Sequence, residues 1–308
     1  MLKNILVIGG TRYFGKLLVQ RLLAAGHSVT IATRGHAPDP FGDRIKRVRV
    51  DRRNETAMRK AFANSQWDLI YDQMCYSPLD AAISTRVFAG KVKRYVMAST
   101  IEVYRGLMDG RPAPFLESDL HVMGQSIDTS YPWHDPKLAN QSYVAGKLQA
   151  EAYLYRDGSL PLVTVRIGHV LSGPDDFTGR LAHYVDMVRL GSPLRYANAA
   201  AGTSFITAQQ IAEFMAWVGM QSFTGPINAA CDGQVSAFDL YHRTALVLDA
   251  PANAVPAAQP AAPGVLSPFD YPHPFAMDTS RAASLGFRFG HHDEWLDDLI
   301  RQHDLAFV

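Results

Sequence analysis

Apolar runs of strand length alternate with stretches of helical periodicity through the first half of the chain. Residues 5–8, Ile-Leu-Val-Ile, form an unbroken apolar run, the mark of a strand covered on both faces of a parallel sheet. A glycine turn follows, and then Leu17, Leu18, Leu22 and Leu23 recur at helical spacing. The same alternation predicts strands at 28–33, 45–50, 67–72, 94–99 and 162–167, and helices at 55–64, 79–89 and 141–156. Repeated β-α-β units predict an α/β fold with a doubly wound parallel sheet and right-handed crossovers. Beyond residue 170 the pattern is less regular, with helices predicted at 179–189, 208–218, 237–248 and 293–305. Between 250 and 275, seven prolines from Pro251 to Pro274 interrupt an alanine-rich stretch. They remove backbone donors and predict an extended segment, either a lid over a site or a plain surface connection.

Composition narrows the classes of function. The 308 residues are enough for one large α/β domain or two intimate lobes. Thirty basic and 29 acidic side chains leave a net charge of +1, which gives no electrostatic case for a nucleic acid or a membrane surface as partner. Cys75 and Cys231 are the only cysteines and form no C-x-x-C pair, so neither a disulfide framework nor a cysteine zinc site is expected. No apolar run approaches the length of a membrane span, and the short one at the start ends in glycines, unlike a signal peptide. The expectation is a soluble cytoplasmic protein. The eleven histidines show no metal-ligand spacing. His291 and His292 precede a helix and are expected to cap it or face solvent, and no metal is expected.

Three groups of residues carry candidate chemistry. The first is Gly9-Gly10-Thr11-Arg12-Tyr13-Phe14-Gly15, between the first strand and first helix. There, glycines let the backbone turn sharply, and the N–H groups of the helix start present a positive end to a phosphate. The second is Tyr143 with Lys147. Residues four apart share a helix face, and an ammonium beside a phenol favours the phenolate, so the pair can exchange a proton with a hydroxyl or carbonyl. The third is Ser99-Thr100, at the carboxyl end of the strand that starts at Arg94. Ligands of open α/β sheets bind at such ends, although Ser and Thr there also serve to satisfy strand-end backbone groups.

Together these pieces resemble the short-chain dehydrogenase/reductase superfamily, in its extended branch, the NAD-dependent epimerase/dehydratase family. The resemblance implies a Rossmann-type dinucleotide-binding domain over 1–170, to which about 204–222 returns, and a smaller substrate-binding lobe over 171–308. It implies Tyr143 as the acid/base, Lys147 lowering its pKa and binding the nicotinamide ribose, and Thr100 as the hydroxyl partner, with Ser99 the fallback. Gly9, Thr11, Arg12, Tyr13, Phe14 and Gly15 would line the cofactor, with Met74 near the nicotinamide. Asp51 matches the position near the adenine, and is equally read as a loop-capping carboxylate. Where NAD-preferring members carry an acidic residue after the second strand, this chain has Thr33 followed by Arg34. With no carboxylate to repel a 2′-phosphate and Arg34 to pair with one, NADP is expected over NAD, unless Arg34 and Arg12 are simply solvated charges. A homodimer is implied by the resemblance alone.

The chain departs from the family pattern where a substrate would lie. The glycine loop looks like that of an atypical Gly-Gly-Thr-Arg-x-x-Gly subgroup that includes chloroplast stem-loop-binding proteins. The small residues usual after the fourth strand are replaced by Asp72-Gln73-Met74-Cys75. Glu102 occupies one place of a Thr-Asp-Glu dehydratase triplet, but Ile101 replaces the aspartate, so a complete elimination mechanism is not expected and Glu102 is read first as a solvated carboxylate. Thr203 stands where an arginine often grips a sugar-nucleotide diphosphate; Arg195 is the candidate substitute. His169 either faces substrate or is a hydrogen-bonded core histidine. The expected function is an NAD(P)-dependent oxidoreductase or epimerase acting on a hydroxyl or carbonyl carbon of a sugar-like small molecule. The alternatives are an RNA-associated or NADP-sensing protein on the same fold.

Overall fold

Strand β1 (Asn4–Ile8) forms where the unbroken apolar run lies, and Ile5 to Ile8 are all buried. In chain order it is followed by α1 (Tyr13–Ala24), β2 (Ser28–Thr33), β3 (Lys46–Arg49), α2 (Glu55–Ala61), β4 (Leu69–Asp72), α3 (Pro78–Phe88), β5 (Tyr95–Thr100), α4 (Ala139–Asp157) and β6 (Leu162–Ile167). Then come β7 (His169–Leu171), α5 (Arg180–Arg189), β8 (Leu194–Tyr196), β9 (Phe205–Thr207), α6 (Ala208–Gly219), β10 (Gly225–Ala229), α7 (Ala237–Val247), β11 (Ala254–Pro256), α8 (Ser280–Ser284) and α9 (Leu296–Phe307). The computed structural model describes residues 2–174, 176–257 and 267–307.

The chain divides into two units. The first comprises 1–103, 117–167 and 211–227, and the second 104–116, 168–210 and 228–308. The sequence placed the boundary near 170 and the returning segment at 204–222; it contained no sign that 104–116 would leave the first unit.

A seven-stranded sheet in the order β10-β6-β5-β4-β1-β2-β3 forms the centre of the first unit, and the pairs from β6 through to β3 are parallel. The fold is thus the expected doubly wound, Rossmann-like one. From β1 the chain winds outward through β2 and β3, then returns to β4 on the other side of β1. Strand order therefore reverses between β1 and β4, and the turns that leave these two strands border a crevice. Aliphatic and aromatic side chains of the sheet and its helices, among them Leu6, Ile70, Phe88, Met97 and Leu154, form one buried cluster. Local chemistry explains why α3 starts where it does. The Ser77 side chain accepts the Asp80 N–H, and Pro78 occupies the first turn, where no backbone donor is needed.

A buried ion pair joins β6 to α4. Arg166 on β6 and Glu151 on α4 meet at 2.8 Å with neither side chain exposed. Arg166 Nη1 also donates to the Glu117 carbonyl at 3.1 Å, and the Ser99 hydroxyl donates to Glu151.

The second unit has its own buried cluster, which includes Leu181, Tyr184, Val188, Phe205, Leu240, Tyr241, Phe269 and Ile300. Two short parallel pairs, β7–β9 and β8–β11, were not expected from the sequence, because three residues are too few to show a period of two. The Ala/Pro-rich segment predicted over 250–275 has its middle, 258–266, outside the described residues. On one flank Val255 pairs with Arg195, and on the other Phe275 bridges to Thr203. His291 behaves as expected of a cap, its ring accepting the Asp293 N–H at the start of a short 3-10 turn.

Replacing Glu151 by Ala would strand the Arg166 charge in the core, and an unpaired buried charge costs about 3–5 kcal/mol. Urea unfolding monitored by circular dichroism should show a loss of that order. A loss below about 1 kcal/mol would mean that water reaches Arg166.

Candidate active site

The turn after β1 is shaped by its glycines. Gly9 has φ of +102° and Gly10 of +89°, a region that side-chain-bearing residues seldom occupy. Gly15 sits in the first turn of α1, and a Cβ there would collide with Gln73 Oε1. Arg12 occupies the N-cap of α1 with no side-chain cap bond, and the first turn contains no acidic residue. With neither a side-chain cap nor a carboxylate of its own, this helix start suits an anion. Tyr13 and Phe14 pack their rings 5.9 Å apart beside the turn, and Tyr13 itself has φ of +52°.

The turn after β4 faces this loop and is built on charge. Asp72 is fully buried and accepts from Arg52, from Ser84 Oγ at 3.2 Å, from Tyr95 OH at 2.6 Å and from the Met74 N–H at 2.9 Å. Arg52 also pairs with Asp80 at 3.1 Å and donates to Ser84 at 2.9 Å. Asp80 in turn accepts the Tyr76 N–H at 2.9 Å and contacts His134 Nε2 at 3.1 Å. Burial alone would raise the pKa of Asp80, but Arg52 and His134 outweigh it and hold the carboxyl well below the usual range. This cluster replaces the small residues expected after β4. Reading along the chain did not reveal it, because Arg52, Asp72 and Asp80 are far apart in sequence.

Tyr76 connects that turn to α4. Its ring centroid is 4.2 Å from Lys147 Nζ and 6.1 Å from the ring of Tyr143. Lys147 is buried, and its ammonium donates to the Ala98 carbonyl of β5 at 2.8 Å. Burial lowers its pKa to about 8, against the opposing pull of Cys75, Asp72 and Asp80. Gly146 lets α4 come this close, since a Cβ there would run into the Tyr76 carbonyl. Tyr143 is half-buried. Both members of the sequence-predicted pair thus lie near one aromatic ring, that of Tyr76. Thr100 is buried at the carboxyl end of β5, and its Oγ1 accepts the Glu102 N–H at 3.3 Å. Ser99 is turned the other way, its hydroxyl committed to Glu151. Met74 is partly exposed and lies against Gly9, 3.1 Å from where a Cβ would be, while Glu102 is half-buried.

At the end of β2, Thr33 Oγ1 accepts the Gly35 N–H at 3.2 Å, and Arg34 is exposed. Sheet register sets Arg49 of β3 opposite Thr33, and the Arg49 guanidinium lies against Gly35. A second cation therefore stands at this strand end. Sequence reading missed it because only pairing brings residue 49 beside residue 33. Asp51 is exposed and accepts the Arg53 N–H at 3.0 Å, the loop-capping role that was one of its two expected readings.

Two candidates belong to the second unit. His169 is buried among Phe205, Phe269 and Tyr271, with its Nε2 3.0 Å from Tyr271 OH. Burial, with lesser contributions from Arg180 and Arg105, lowers its pKa to about 3, so the ring is neutral at pH 7. That environment matches the core-histidine reading. Arg195 is exposed on β8.

The sequence model of the NAD dependent epimerase/dehydratase family matches residues 5–226, which takes in the glycine turn, the β4 turn and the Tyr143/Lys147 helix. The chain belongs to that family.

Members of this family depend on a nicotinamide dinucleotide. Among similar proteins, the 2′-dehydrokanamycin reductase of Streptomyces kanamyceticus is 34% identical over 179 residues, covering 58% of this chain and 46% of its own length. A chloroplast stem-loop binding protein of 41 kDa from Arabidopsis thaliana is 23% identical over 212 residues, 64% of this chain and 50% of its own. The aligned region thus spans about half the length of either relative. Among solved structures, the UDP-glucose 4-epimerase of Thermus thermophilus, in complex with NAD, superposes with a TM-score of 0.69. It is 18% identical over 98% of this chain and 99% of the other, a likeness of fold.

The residues of this family member fit a dinucleotide. The two positive-φ glycines and the start of α1, which has no side-chain cap, would cradle a diphosphate.

The lowered Lys147 pKa has a consequence for stability. Below about pH 8 the folded and unfolded chains both carry the proton, and the burial penalty is present in full. As pH rises from about 8 towards the unfolded value near 10.4, the folded chain releases its proton first and the penalty is relieved. Relative to Lys147→Met, the wild type should gain about 1–3 kcal/mol between pH 7 and pH 10. Urea titrations of both proteins at the two pH values measure this, and parallel pH profiles would place the lysine pKa near its solution value.

Proposed function

We propose that the chain is an NADP-dependent oxidoreductase that interconverts a hydroxyl and a carbonyl on a sugar-like small molecule, with Tyr143 as the acid/base. The observation that supports this best is the Tyr76 ring, which lies 4.2 Å from the buried Lys147 ammonium and 6.1 Å from the Tyr143 ring. When bound, the nicotinamide supplies or accepts the hydride. At pH 7 the Lys147 amine keeps its proton, because its pKa is about 8. That positive charge favours the phenolate of Tyr143, so the phenol can give a proton to a carbonyl oxygen and take it back from a hydroxyl. Thr100 is assigned a hydrogen bond to the same substrate oxygen. The reductase relative supports reduction of a keto group. Thr203, in place of a diphosphate-gripping arginine, supports a substrate without a nucleotide.

Preference for NADP rests on Arg34 and Arg49, which stand at the ends of the paired strands β2 and β3 with no carboxylate at residue 33 or 34. Two guanidiniums suit a 2′-phosphate. A non-catalytic, RNA-associated role is the second reading, supported by the likeness to the chloroplast stem-loop binding protein. It predicts strong, salt-dependent RNA binding, which a net charge of +1 does not favour.

Tyr143→Phe should lower turnover at least about 100-fold while leaving the NADPH Kd unchanged. The assay is NADPH oxidation with a panel of keto-sugars that includes a keto-aminoglycoside. Activity surviving in Tyr143→Phe would remove the tyrosine from the chemistry. Arg34→Ala and Arg49→Ala should each weaken NADP by about tenfold more than NAD in calorimetry. Equal losses for both coenzymes would dismiss recognition of the 2′-phosphate.

A further inference from the structure

Gln73, in the turn after β4, carries an amide nitrogen that no hydrogen bond among the described residues uses. It follows Asp72 at the point where strand order reverses. Only 8% of its surface is exposed, and its amide Nε2 has no hydrogen-bond partner among the described residues. Leaving a buried amide donor unmade costs about as much as a whole hydrogen bond, so a water or a ligand oxygen is the natural acceptor here.

Its surroundings indicate what that acceptor is. The side chain lies against both ends of the glycine turn. A Cβ on Gly9 would be 3.5 Å from Gln73 Cβ, and one on Gly15 would collide with Gln73 Oε1. The amide thus fills the space that a side chain at Gly15 would take, beside the uncapped start of α1. Its neighbours Asp72 and Met74 are tied by Asp72 Oδ1 accepting the Met74 N–H, which fixes the turn that carries Gln73. An amide N–H held in this position suits an anionic oxygen, and a charge-assisted bond of that kind is stronger than a neutral one.

We infer that Gln73 is a cofactor-binding residue whose Nε2–H donates to a diphosphate oxygen of the dinucleotide, completing with a side chain the cradle that the glycine turn makes from backbone. This rests on the dinucleotide reading of the proposed function and adds a specific donor to it. It also gives a reason for a glutamine where the family carries small or apolar residues. The amide supports the diphosphate from the β4 side of the crevice, next to the helix start.

The test is calorimetric binding of NADPH and of adenosine 2′-monophosphate, which has no diphosphate, to the full chain. Gln73→Met keeps the length of the side chain and removes the donor, whereas Gln73→Glu keeps the shape and puts a negative charge beside the phosphates. Circular dichroism melting checks that both variants fold. NADPH affinity should fall about tenfold in Gln73→Met and further in Gln73→Glu, with adenosine 2′-monophosphate bound as by the wild type. NADPH bound equally well by wild type and Gln73→Glu would overturn the inference. So would losses of equal size for the two ligands, since they would indicate a distorted loop rather than a missing bond. If Gln73→Met does not fold, Gln73→Glu decides the matter alone. Failure of the wild type to bind either NADPH or NADH would instead overturn the dinucleotide reading itself, which separates the two.

Discussion

Asp72 ends β4 with its carboxylate enclosed and four donors converging on it: Arg52, Ser84, Tyr95 and the Met74 N–H. Much of the candidate site depends on this arrangement. A carboxylate in the core is tolerable only when neutralised and fully hydrogen-bonded. Arg52 meets that need and extends it to Asp80, whose second oxygen holds the Tyr76 N–H. The two acids thereby fix the backbone at residues 74 and 76. Gln73 is set against the glycine turn and the Tyr76 ring against Lys147. In this chain a charged cluster shapes the β4 turn.

The same cluster bears on the electrostatics of the lysine. Lys147 is enclosed by Tyr76 and the Ala98 carbonyl, which desolvates it, while the negative charge of Asp72 and Asp80 offsets part of that cost. The result is an amine that is still protonated at neutral pH yet within about one unit of losing its proton. Gly146 is part of the same construction, because α4 could not approach the Tyr76 backbone with a side chain at that position.

Much of the first unit was legible from pattern. The apolar runs at 5–8, 67–72, 94–99 and 162–167 became β1, β4, β5 and β6 within a residue or two, and the long helix carrying Tyr143 and Lys147 runs over Ala139–Asp157. Buried parallel strands have to be apolar on both faces, so they are conspicuous. The short pairs β7–β9 and β8–β11 were not, because their partners lie more than 30 residues away and three residues carry little periodic signal. Ser99 and Thr100 show the limit at the site. Adjacent hydroxyls on a strand point to opposite faces, so the choice between them had to wait for the register that sends Ser99 to Glu151.

By itself, the sequence determined the doubly wound sheet, the glycine turn after its first strand and the tyrosine-lysine pair on one helix face. Each is a local property, set by residue type and by spacing within one element or one turn. Only the tertiary structure decided which groups stand together. It paired Arg52 with Asp72 and Asp80, set Arg49 beside Thr33, and pressed Gln73 into the glycine turn with its amide unpartnered. These are juxtapositions between distant parts of the chain. They arise from strand order and close packing, neither of which leaves a mark on the spacing of residues along the chain.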